Sequence, residues 1–113
     1  MKVDSTTWCA PENQAGQYLA DYLEEIGDDK LPEKVSTYFH RFQVRMKALN
    51  GMEKGMRVFY LDLLMKKTKA EIESNIEYEK VKTLMQNIIT GFYRIEMLKI
   101  YPNKFIQIKN NKS

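Results

Sequence analysis

Cysteine is almost missing from this chain of 113 residues. Cys9 is the only one, so no disulfide can close within it. Such scarcity fits a reducing compartment, and a cytoplasmic location is the expectation. No apolar run approaches the roughly 18 residues that would cross a membrane, so no membrane partner is expected. The stretch from Met1 to Cys9 carries Lys2 but no apolar core, so no secretory signal is expected there.

Histidine is equally scarce. Cys9 and His40 together fall short of the roughly four ligands a structural zinc site takes. The residue three before His40 is Thr37, so the Glu-x-x-His pattern of a bundle di-iron site is absent. Gly-x-x-x-x-Gly-Lys, Gly-x-Gly-x-x-Gly and Gly-x-Ser-x-Gly are absent as well. No metal, no cofactor and no enzymatic activity are expected. Two weaker constellations remain. Cys9 and His40 would make a thiolate and its base, but no third group orients them. Glu73 and Glu77, within the run Glu71, Glu73, Glu77 and Glu79, stand one helical turn apart, as acid–base or magnesium chemistry would require. The simpler reading of that run is a solvated acidic first turn, favoured by the helix dipole.

What the chain does have is apolar periodicity. A content of 43% hydrophobic and 29% charged residues suits a folded domain and not a disordered one. The length suits one domain over 1–113, with an irregular arm at 1–10 and a tail at 103–113. Trp8 is the arm's one large apolar side chain. It either folds back onto the core or anchors a partner. Pro11 opens a first helix whose stripe is Ala15, Tyr18, Leu19, Tyr22, Leu23 and Ile26, and Gly27 stops it. Pro32 opens a second, with Glu33 in its first turn and Val35, Tyr38, Phe39, Phe42, Met46 and Leu49 on one stripe. Asn50-Gly51 ends it.

The third helix covers about 52–67 and holds the densest apolar stretch, Gly55 to Met65. Met52, Met56, Phe59, Tyr60 and Leu63 share one face, and Val58, Leu61 and Met65 share another. A helix apolar on two sides is expected to be sandwiched in a core. The alternative gives one face to a partner, with Val58, Leu61 and Met65 as the contact residues. Thr68-Lys-Ala-Glu71 fits a capping box, which would start a new helix there; a flexible link through Ser74-Asn75 is the other option. The last helix runs from about 76 to 100, with Tyr78, Val81, Leu84, Met85, Ile88, Phe92 and Ile95 on one face. Pro102 ends it, and Phe105, Ile106 and Ile108 add a short extended segment.

These patterns predict an all-α fold, a compact four-helix arrangement with an N-terminal arm. The rival is α+β with a central hairpin at about 41–63. Phe42, Val44, Met46 and Ala48 alternate with polar residues, and Val58, Phe59 and Tyr60 are good strand formers.

Net charge is +3, but it is unevenly spread. The acids Asp4, Glu12, Asp21, Glu24, Glu25, Asp28 and Asp29 crowd the first thirty residues, and bases dominate 31–70. The first helix is therefore expected to have a basic neighbour. Arg41, Arg45, Lys47, Lys66 and Lys67 are the candidate surface for a nucleic acid or another anion. With no catalytic motif in hand, the expected function is a non-catalytic protein–protein interaction domain: a small regulator, adaptor or inhibitor. Its partner is another protein or a second copy in a homodimer. A nucleic-acid-binding module is the alternative.

Overall fold

The computed structural model describes residues 14–102 of the chain. The arm with Trp8 and Cys9, the helix start at Pro11, the segment at Phe105, Ile106 and Ile108, and the tail lie outside the described residues. The fold is all-α. Four helices follow one another: α1 (Gln14–Ile26), α2 (Leu31–Ala48), α3 (Lys54–Asn75) and α4 (Glu79–Ile100). No strand occurs among the described residues, so the hairpin at 41–63 is excluded; both of its arms are helical. Alternation in Phe42–Ala48 gives way to the longer stripe that buries Val35, Phe39 and Phe42 together. One face of a helix hides all three aromatic and branched side chains, which strand spacing over the same segment would not.

The helix ends follow local chemistry. Gly27 stands at φ +75°, and its N–H closes on the Leu23 carbonyl at 3.2 Å, so a left-handed residue ends α1. Asp28 then turns the chain by accepting from the Lys30 N–H at 3.1 Å. Pro32 sits in the first turn of α2, where its missing N–H removes no helical bond. Glu53 caps α3. Its carboxylate accepts from the Gly55 and Met56 N–H groups at 3.0 and 3.4 Å, and its negative charge faces the positive end of the helix dipole.

The capping box at Thr68 does not act. Helix α3 runs unbroken through it, and Thr68 is buried between Leu61 and Ile72 on one inward stripe. Starting a new helix there would split that stripe, and its burial outweighs a cap worth about 1 kcal/mol. The break comes instead after Asn75. This separates Glu73, on α3, from Glu77, in the connection to α4, so the carboxylate pair one turn apart does not form.

Leu19, Leu23, Val35, Phe39, Phe42, Ile72, Val81, Met85 and Ile89 form one core drawn from all four helices. Partly buried Phe92 of α4 packs against it, meeting Phe39 edge-on at 6.1 Å and lying stacked on Phe42 at 6.2 Å. Helices α2 and α3 run antiparallel. Tyr38 bonds Asn75 at 2.9 Å at one end, and Arg57 bonds Asn50 at 3.2 Å at the other. Helix α3 packs most extensively on α4, again antiparallel, through Arg57–Glu96 and Gln86–Glu73.

Helix α1 lies mainly on α4, not on the basic α2. Its basic neighbour is Lys80, whose ammonium sits over the Tyr18 and Tyr22 rings at 5.1 and 4.6 Å. The last helix begins at Glu79 and not at about 76, so Tyr78 stands before it and is exposed, and its stripe also departs from expectation at Ile95. Ile95 is 53% exposed, whereas Glu96 is buried. The inward positions of α4 step through Val81, Met85, Ile89, Glu96 and Ile100, and that progression rotates past Ile95.

Candidate protein-binding face

The sandwich expected for α3 does not form. Leu61 is 1% exposed, and Val58 and Met65 are half-buried, so the face named as a partner surface is the one turned inward. The opposite face meets solvent: Phe59 is 60% exposed, Met56 52% and Leu63 45%, with Tyr60 beside them. Helices α2 and α4 reach α3 from two sides of the Leu61–Thr68–Ile72 stripe, and nothing of α1–α4 stands over the far side. The sequence separates the two faces by the 100° step. It holds no signal for which one the neighbours cover, because both are apolar.

On the exposed face the Phe59 and Tyr60 rings meet edge-on at 5.3 Å. The helix that carries them is fixed from behind by a charged clasp. Glu96 of α4 takes Arg57 at 3.5 Å and Lys99 at 3.0 Å, and Arg57 also donates to Asn50 at 3.2 Å. One carboxylate so ties the α2–α3 turn, α3 and the end of α4. The clasp lines a polar cleft of about 540 Å³ with Gln43, Met46, Lys47 and Asn50. Sequence reasoning missed Glu96 because a glutamate inside an apolar helix reads as an outward residue.

Of the five basic candidates, Lys47 joins this cleft. Arg41 lies 4.0 Å from Glu71 and 5.9 Å from the Tyr38 ring. Lys66 binds Asp62 at 2.9 Å, a bond that raises its pKa. Arg45 and Lys67 come together. With Leu49, Tyr60, Leu63 and Leu64 they line a cleft of about 370 Å³ between α2 and α3. The basic set is thus divided among different surroundings.

The other candidates disperse too. His40 is exposed on α2. Glu73 accepts from Gln86 at 3.0 Å and lies 3.7 Å from Lys82. Among the described residues no three His, Cys, Asp or Glu side chains gather as metal ligands would. No helix there is long and apolar enough to cross a membrane.

The fold and the face define an all-α protein, with four helices among the described residues and an apolar surface on the third. No protein-family model matches the chain, and no curated protein or solved structure matches it.

Proposed function

We propose that the protein is a non-catalytic protein–protein interaction domain, a small cytoplasmic regulator, adaptor or inhibitor, and that it docks through the outer face of α3. The exposure of Phe59 beside Met56, Tyr60 and Leu63 carries the reading. Burying a phenylalanine or leucine is worth about 1.5–3 kcal/mol, and a surface that leaves several adjacent ones in water has that free energy available to a partner. Aromatic residues and methionine are the types enriched in interface centres, and methionine adapts its shape to what it meets. The lone Cys9 supports the cytoplasmic part. The nucleic-acid alternative draws less support, since Arg41 and Lys66 already face Glu71 and Asp62.

Photocrosslinking tests the docking surface. A benzoylphenylalanine placed at Phe59 should give adducts in the host cell, and the same group at exposed Asn87 on α4 should not. Equal labelling from both positions, or none from Phe59, would remove the reading. Light scattering then separates a second copy from a foreign partner.

A further inference from the structure

Resting on that docking reading, we infer that the cleft between α2 and α3 seats an amphipathic helix whose apolar stripe is bordered by acidic side chains. The apolar part of the cleft is formed by the side chains of Leu49, Tyr60, Leu63 and Leu64. Each helix contributes one cation to its lining, Arg45 from α2 and Lys67 from α3. Neither has a carboxylate within ion-pair distance among the described residues, whereas the nearby Arg41 and Lys66 have theirs in Glu71 and Asp62. Among the described residues, the two charges that line this cleft thus stand without a carboxylate partner.

A volume of about 370 Å³ falls within the ordinary range of concave binding sites. Met56, Phe59 and Leu63 step along α3 at i, i+3 and i+7, so the apolar track continues beyond the cleft. A helix lying in such a groove inserts side chains at i, i+3 or i+4, and i+7. Its flanks then fall opposite Arg45 and Lys67, where acids are favoured. A nucleic acid would use the two cations but leave the apolar side chains of the cleft uncovered. A second copy presenting the same face would bring its own Arg45 and Lys67 toward these, and like charges repel.

The test pans a displayed library of helical peptides against the full chain. Leucine is fixed at the i, i+4 and i+7 positions, and the flanking positions are drawn from Asp, Asn and Lys. Wild type should enrich Asp over Lys about tenfold, the effect of two exposed ion pairs. The double variant Arg45→Glu/Lys67→Glu should invert the preference, and Leu63→Asp should retain no peptide. Both variants alter exposed side chains, and unchanged circular dichroism melts check their folding. Leu63-dependent retention with no acidic preference overturns this inference and leaves the docking surface standing. Equal retention on wild type and Leu63→Asp, or none on either, overturns both. A labelled DNA duplex held at low salt by wild type and Leu63→Asp, but not by the double variant, overturns the inference in favour of phosphate. A dimer that Leu63→Asp dissociates overturns it in favour of a second copy.

Discussion

The two halves of α3 share one inward stripe and differ on the outside. Leu61, Thr68 and Ile72 are all buried, so both halves lean on the same core. Outward, the first half shows Met56, Phe59 and Leu63, and the second shows Ala70, Glu73 and Ser74. The second half holds its place with nothing large and apolar on its outer side. Folding therefore does not call for the outer apolar stripe of the first half. That stripe leaves large apolar side chains in water, and this is the observation on which the proposed docking face rests.

The strongest way to break this comparison is to truncate one residue on each side of the first half. Leu61→Ala should lower stability by about 3 kcal/mol through the lost contacts and the cavity left behind. Phe59→Ala, two residues away, should change it by less than about 0.5 kcal/mol. Urea unfolding curves measure both, and equal losses would erase the distinction between the faces.

The next effect concerns what anchors the first half. Glu96→Ala leaves Arg57 and Lys99 facing one another without their shared acceptor. A loss of about 1–3 kcal/mol is expected. Hydrogen exchange should accelerate near Arg57 and stay unchanged near Ile72, where Tyr38–Asn75 and Gln86–Glu73 still hold. Uniform acceleration along α3 would show that the halves are not independently secured.

Glu53→Ala removes the cap from the first half alone. It should lower stability by about 1 kcal/mol, with faster exchange at the Gly55 and Met56 amides. An unchanged melt would mean that water replaces the carboxylate without loss.

The smallest effect is alkaline. The bond that Lys66 donates to Asp62 holds its pKa above the ordinary value, and the bond to Tyr18 does the same for Lys80. Removal from water, then Asp28, raises Tyr78. In all three, folding favours the protonated form. Their contribution is fully present below about pH 10 and fades as pH rises through the folded pKa values. Melting temperatures should hold from neutral pH to about 9 and decline slightly above 10. A decline beginning near neutrality would point to other groups.

Much of the fold was legible in the sequence because helix signals are local. Pro32, Gly27 and the Asn50-Gly51 turn mark boundaries that the structure keeps within a few residues. Val35, Phe39 and Phe42 lie inside as their spacing requires. The candidate site was only half legible. Its helix and its two apolar faces were visible, but not that the face with Met56, Phe59 and Leu63 would be left in solvent. Ile95, expected inside, is exposed for a related reason: whether a position is covered depends on where another helix lies.

By itself the sequence determined where helical periodicity prevails and which side chains travel together on each face of a helix. Those follow from backbone geometry and from side chains within one or two turns. The packing of α2 and α4 against α3 decided that Leu61 is hidden, that Phe59 meets water, and that Arg45 and Lys67 flank one cleft. Such choices belong to contacts between segments far apart along the chain, and a periodic pattern carries no record of which neighbour arrives on which side.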